Sequence, residues 1–248
     1  MDPDFWAELR LSTQSRIGLG RAGDGLPTPR VLEFRLAHAV ARDAVHDPLD
    51  VDALTAAVEA LGLGRPPVVR SQAADRAEYL RRPDLGRLPA DLSPVPDDGA
   101  DVGFVLCDGL SARALATHAV PTLAALLAAL PDSLSRATPV IATQARVALG
   151  DHIGRALGVR TVIVLIGERP GLSVADSLGV YLTHEPEPGR TDADRNCVSN
   201  IHPPEGLGYA GAAAVVSALV QGARALGRSG VELKDSSREA ALPASEGP

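Results

Sequence analysis

Lysine is almost missing from this chain of 248 residues: Lys234 is the only one of its 24 basic side chains that is not arginine. A P-loop needs a glycine-rich turn closed by Lys and then Ser or Thr, and Lys234 precedes Asp235, so that class is excluded. Cysteine is nearly as scarce, with Cys107 and Cys197 far apart and no CxxC pair. Zinc ribbons and thioredoxin-type redox motifs are thereby ruled out, and so low a count suits a reducing compartment. Aromatic residues make up 3% of the chain, so its core must rest on Ala, Leu, Val and Ile. A transmembrane helix needs ~20 apolar residues. The nearest candidate, 211–220, is too short and runs into Gln221 and Arg224, so no membrane is expected. The acidic start Met1-Asp2-Pro3-Asp4 lacks the basic and apolar regions of a signal peptide, and a cytoplasmic location is expected. With a net charge of −7 there is no basic surface to release phosphate counterions, so no nucleic acid is expected as a partner.

What is present is ordinary globular material: 45% hydrophobic and 22% charged. That length makes one large domain or two small ones, large enough for a core without disulfides or metals. Thr28 is expected to cap a helix with Pro29 in its first turn, followed by helically spaced Leu32, Leu36, Ala39 and Val40 and stopped by Pro48. A second helix reads from Val51 to Leu61. The Pro-, Arg- and Asp-rich stretch 66–96 reads as an extended link with one short helix near 73–80.

The texture changes at Asp101. The run 102–107 reads as a strand and 111–130 as a helix, with Pro121 marking a break or second start. Residues 139–142 read as a strand and 151–157 as a helix. Thr161–Ile166, continuously apolar and β-branched, is the strongest strand, of the kind buried on both faces in parallel sheets. Leu178–Leu182 is a further strand candidate, and 212–226 is the last helix. The expected fold class is therefore α/β, a Rossmann-like doubly wound, mostly parallel sheet with a helical N-terminal extension. The expected boundaries are a helical docking part and linker over 1–96, a ligand-binding domain over 97–234 and a flexible tail over 235–248. Such sheets bind ligands beyond the carboxyl ends of their strands. Here those ends carry the loops 108–111, 143–147 and 167–171.

Several local motifs lose to plainer readings. Gly18-Leu-Gly-Arg-Ala-Gly23 matches GxGxxG, but polar residues precede it where a strand is required, and prolines interrupt the stretch where its helix should open. Gly109-Leu-Ser111 and Gly171-Leu-Ser173 fall short of the nucleophile elbow, because Arg113 and Ala175 stand where it needs glycine. Ser111 reads better as a helix cap. The six histidines form no spaced ligand set, and no metal-binding or catalytic residue is assigned. Glu168, beside Arg169 after the most apolar strand, either has a structural role, capping a loop or pairing with an arginine, or accepts hydrogen bonds from a ligand. Cys197, in a small polar segment, reads from sequence alone as a small buried hydrophobe.

Taken together, Arg16–Gly23, the helix 34–44 with His46-Asp47-Pro48-Leu49-Asp50, Asp108–Ala112, Gly167–Leu172 and Asp194–His202 resemble the small subunit of ethanolamine ammonia-lyase. The resemblance runs in order from about Arg16 to Lys234. It implies a hetero-oligomeric, adenosylcobalamin-dependent lyase that converts ethanolamine to acetaldehyde and ammonia by radical chemistry. In that family the partner is a large subunit with a TIM barrel that holds the substrate, and this chain would complete the cobalamin site without being active alone. Matching positions put the cobalamin contacts on Val147, Glu168 and Cys197. The DxHxxG signature of base-off corrinoid enzymes is missing, since Asp151-His152 has its aspartate one place off. The resemblance therefore implies adenosylcobalamin bound base-on, with cobalt not ligated by this chain. Housing in a bacterial microcompartment is left open. Two other classes stay on the table: a stand-alone nucleotide-using α/β enzyme and a non-enzymatic docking module.

Overall fold

The computed structural model describes residues 5–13 and 15–235. The expected tail beyond 235 and the acidic start lie outside these residues. Six strands form one open sheet: β1 (Val68–Arg70), β2 (Val102–Cys107), β3 (Val140–Thr143), β4 (Thr161–Gly167), β5 (Leu178–His184) and β6 (Asn196–Ile201). Their order is β1-β3-β2-β4-β5-β6. The first four run parallel, while β5 is antiparallel to both β4 and β6. The protein is thus mixed α/β with a mostly parallel, unclosed sheet.

The helices are α1 (Ala7–Leu11), α2 (Thr28–His46), α3 (Val51–Glu59), α4 (Arg76–Arg81), α5 (Ala112–Ala129), α6 (Leu149–Ala156) and α7 (Tyr209–Leu226). Side chains alternate across the sheet as the period of 2 requires. Phe104, Leu106, Ile163, Leu165, Val180 and Leu182 face a core shared with α3, α5 and α7. Val105, Cys107, Val162, Val164 and Ile166 face a second core shared with α6. Strands buried on both faces explain the unbroken apolar runs 102–107 and 161–166. Helix α6 comes unusually close to β4, because a Cβ at Gly150 would stand 2.3 Å from Val164 Cγ2 and one at Gly154 2.9 Å from Val162 Cβ.

Several expectations need correction. Pro121 neither breaks nor restarts its helix: α5 runs through it. One backbone hydrogen bond is lost there, but Leu115, Leu123 and Leu126, all fully buried, hold both halves against the sheet. Thr28 is the first residue of α2, not its cap, and no side chain caps that end. The link 66–96 contributes the edge strand β1, and the polar segment 196–201 is the opposite edge strand, β6. The apolar stretch 211–220, expected to be too short for a span, lies inside α7, which begins three residues before the expected 212–226. α5 and α7 are each long and apolar enough to cross a membrane by length and composition. Both instead bury one face against the sheet and each other, as core helices do.

Gly18–Gly23 follows the short helix α1 rather than a strand, and a small bridge between Ala22 and Gly25 overlaps its end. The strand–turn–helix context of a dinucleotide site does not form there. Ser111 is a helix cap: its hydroxyl accepts the Ala114 N–H at 3.2 Å and donates to the Ala175 carbonyl at 3.0 Å.

Candidate functional site

β2 lies between β3 and β4, and the helices that follow β2 and β3 pack on opposite faces of the sheet. This is the arrangement that opens a crevice at the carboxyl ends of the strands. The Asp108 carboxylate builds its floor. Buried at the end of β2, it accepts the N–H groups of Gln144 at 2.8 Å and Ala145 at 2.9 Å, so the loop after β3 is tied to the loop after β2. Burial pushes the Asp108 carboxyl up, opposed by those two donors and by Arg76, whose Nη1 lies 3.6 Å away. The Tyr79 hydroxyl donates to the Ala145 carbonyl at 3.0 Å from the other side, and burial drives its pKa well above the usual tyrosine value. The turn 144–147 is therefore clamped from two directions. The Arg146 guanidinium stacks 4.5 Å over the Tyr79 ring.

A cavity of about 390 Å³ opens at this point, with walls drawn from all three loops: Gly109 and Leu110, Arg146 and Val147, and Gly167 to Arg169. Tyr181 of β5 closes one side. A second cavity of about 550 Å³ adjoins it, sharing Arg146, Val147 and Tyr181.

Glu168 sits at the end of β4. Its Oε2 accepts the Ser177 hydroxyl at 2.6 Å and the Asn200 N–H at 3.3 Å, which fixes the carboxylate between β5 and β6. Its Oε1 has no donor among the described residues, and Glu168 forms no ion pair with Arg169 or any other described side chain. The ion pair expected as one structural role does not form, whereas the loop-capping role does, through Oε2 with Ser177 and Asn200. Gly179 makes room for this carboxylate, since a Cβ there would stand 2.9 Å from Oε1.

Cys197 lines neither cavity but is linked to both. It pairs across the β5–β6 ladder with Tyr181, which lines both. Cys197 is exposed, not the buried hydrophobe its sequence context favours. Desolvation around the sulfur nevertheless pushes the thiol up, opposed by the neighbouring Tyr181 hydroxyl and aided by the Glu168 charge. Val147 and Glu168 thus share one cavity, and Cys197 borders it through Tyr181.

Sequence reasoning missed Tyr181, the unpaired Arg146 and the buried pair of Asp151 with Arg195. The last joins α6 to the start of β6, each side chain being only 2% exposed. Asp151 bonds Arg195, no carboxylate among the described residues is hydrogen-bonded to the neighbouring His152 imidazole, and burial holds its pKa below the ordinary range. Among the described residues no group of three or more His, Cys, Asp or Glu side chains could hold a metal ion.

An open α/β sheet, with a crevice at its strand ends walled by one half-free carboxylate and several guanidiniums, defines the class: a mixed α/β protein with a ligand-sized polar crevice. The chain belongs to the ethanolamine ammonia-lyase light chain family, whose model, described as Ethanolamine ammonia-lyase light chain (EutC), matches residues 3–234. It is 65% identical over 243 residues to the ethanolamine ammonia-lyase small subunit of Rhodococcus erythropolis, covering 98% of this chain and 95% of that one. It is 50% identical over 241 residues to the small subunit from Bradyrhizobium diazoefficiens, covering 94% and 92%. The family indicated by the sequence motifs is the family found.

Proposed function

We propose that this chain is the small subunit of an adenosylcobalamin-dependent ethanolamine ammonia-lyase and forms one wall of the cobalamin site against a large subunit. The observation that carries the reading is Glu168: a carboxylate fixed by Ser177 and Asn200 with Oε1 left open at the crevice. A corrin ring is rimmed with amide donors, and its nucleotide tail adds a ribose hydroxyl. An acceptor held on a rigid strand end matches either without having to be ordered on binding. Val147 supplies an apolar contact in the same cavity, and Cys197 with Tyr181 extends the platform along the uncovered side of β5–β6.

Bound adenosylcobalamin would supply radical generation by cobalt–carbon homolysis, while protein supplies orientation and shielding. This chain's part is to hold and shield. Asp108 and Tyr79 keep the 144–147 turn in place, and Glu168 fixes one edge of the ligand. Base-on binding is favoured because His152 lacks the hydrogen-bonded aspartate that would orient it as a replacement axial base. We read the fold as Rossmann-like, with 97–234 as the binding domain. In the N-terminal part, Leu26, Leu32, Phe34 and Leu36 are all exposed, which supports a docking role toward the large subunit over 1–96. A cytoplasmic location goes with this reading.

Spectrophotometric titration of adenosylcobalamin into the small subunit, the large subunit and their mixture tests it. The mixture should bind the cofactor at least tenfold more tightly than either alone, and only the mixture should form acetaldehyde from ethanolamine. Equal affinity of the large subunit alone would overturn the reading.

A further inference from the structure

His202 follows β6 with only 5% of its surface exposed, yet it lines neither cavity. Its imidazole Nε2 stands 2.8 Å from Asn200 Oδ1. An amide oxygen only accepts, so the Nε2–H donates. The packing around this bond leaves no slack. A Cβ at Gly206 would stand 2.6 Å from His202 Nε2 and 2.5 Å from the Asn200 carbonyl oxygen. The Gly206 N–H donates to the His202 carbonyl at 3.0 Å, and the Leu207 N–H to that of Asn200 at 2.8 Å. The turn 200–207 is thus closed around the imidazole.

What the imidazole holds is an unusual stretch of backbone. Between the pairs Val180–Val198 and Leu178–Ile201, β5 advances two residues and β6 three, so β6 carries a bulge at Ser199 and Asn200. Asn200 has φ +65°, in the left-handed region that residues other than glycine seldom enter, asparagine being among the more tolerant. Bulges re-aim the groups of a strand and are frequent beside functional sites. Here the re-aimed group is the Asn200 N–H, which donates to Glu168 Oε2 at 3.3 Å. A sparsely populated backbone conformation persists where its surroundings over-determine it, and the His202 bond fixes the Asn200 side chain.

We infer that His202 is a positioning residue: by holding the Asn200 amide it keeps the bulge that aims the Asn200 N–H at Glu168 Oε2, and so leaves Oε1 as the acceptor open to the ligand. The inference rests on the cobalamin reading above and goes beyond it, since His202 is assigned no contact with the ligand. The Ser177 hydroxyl holds the same oxygen at 2.6 Å from just ahead of β5. Without the Asn200 bond the carboxylate would pivot about Ser177 rather than detach. The consequence is a partial loss of affinity and not the loss of the site.

The test uses the complex of both subunits, with affinity for adenosylcobalamin read by absorbance. Glutamine carries its amide nitrogen where histidine carries Nε2, so His202→Gln keeps the donor and His202→Ala removes it. His202→Ala should weaken binding roughly three- to tenfold, as loss of one net hydrogen bond does, and His202→Gln should stay within about twofold of wild type. In a Glu168→Gln background, His202→Ala should add less than about twofold, because its effect passes through that carboxylate. Asn200→Ala breaks the same bond from an exposed residue and should give the same loss, which covers a His202→Ala chain that does not assemble. A readout without cofactor is hydrogen exchange at the amide of residue 200, which should be several-fold faster in either alanine variant than in wild type or His202→Gln. Unchanged affinity, unchanged exchange, a glutamine that does not restore binding, or equal losses in the wild-type and Glu168→Gln backgrounds overturns the inference; His202 would then only support the turn. Glu168→Gln without effect on affinity would overturn the cobalamin reading and this inference with it. An effect of Glu168→Gln with none of His202→Ala would overturn this inference alone, so the two failures are distinguishable.

Discussion

Asp151→Ala should be among the most destabilising single substitutions near the crevice, and its cost can be worked from the pair it breaks. Asp151 on α6 and Arg195 at the start of β6 are in contact, with side chains each only 2% exposed. Removing one member of a buried pair strands the other's charge and typically costs ~3–5 kcal/mol. Arg195 keeps Asp192 at 3.0 Å, but that carboxylate is fully exposed and screened, so it compensates little. For a chain of this size each kcal/mol moves the melting temperature by about 2–4 °C, which gives a drop of roughly 6–20 °C. Calorimetry or circular dichroism would measure it. The pair is not ideal, since Asp151 Oδ1 and Arg195 Nε are buried without partners. The double variant Asp151→Leu with Arg195→Met should therefore recover most of the loss, as apolar replacement of buried ion pairs often does. A single variant that melts within about 2 °C of wild type would refute the reasoning, because the pair would then be hydrated in solution.

Three further outcomes are expected. Gly179→Ala places a Cβ against Glu168 Oε1 and should weaken adenosylcobalamin binding by the complex several-fold, while unfolding free energy changes by less than about 1 kcal/mol. Denaturant melts alongside the titration would check both halves. Asp101 accepts the Ser135 N–H and hydroxyl at 3.0 and 2.8 Å and Arg224 Nη1 at 2.8 Å, bonds that hold its carboxyl below the ordinary value. Its stabilisation is present above the unfolded carboxylate pKa of ~3.9 and lost as pH falls through the lower folded one. Asp101→Asn should thus cost about 1 kcal/mol at pH 7 and nothing once both states are protonated, seen as converging urea midpoints. Finally, iodoacetamide should label exposed Cys197 and spare buried Cys107, and adenosylcobalamin should slow that labelling in the complex; mass spectrometry reads both.

Where a residue's surroundings were local, the sequence carried them. The β-branched run at 161–166 announces a strand covered on both faces, and β4 is buried along its whole length. Ser111 three residues before Ala114 announces its cap. Glu168 is conspicuous because a bare carboxylate follows that strand. Whether it pairs with Arg169 was not legible, since the answer depends on Ser177 and Asn200 arriving from two other strands. The edge strands were illegible for a different reason. β1 is three residues long, behind Pro66 and Pro67, and β6 buries only Val198 and Ile201, so neither has the apolar length that marks a central strand. Asp151 and Arg195 are 44 positions apart, and no periodicity connects them. The unpaired state of Arg146 is likewise a property of the folded neighbourhood alone.

The most direct test of the central claim is Glu168→Gln in the complex with the large subunit. The substitution keeps the side chain's shape and one carbonyl oxygen but removes the charge that makes it a strong acceptor. A charged hydrogen bond contributes ~1.5–3 kcal/mol, so the equilibrium affinity for adenosylcobalamin should fall roughly tenfold or more. Turnover at saturating cofactor should change little, because the group is assigned to the ligand's periphery. An unchanged affinity, with the two subunits still eluting together, would contradict the account: Glu168 would then only brace β5 and β6 through Ser177 and Asn200.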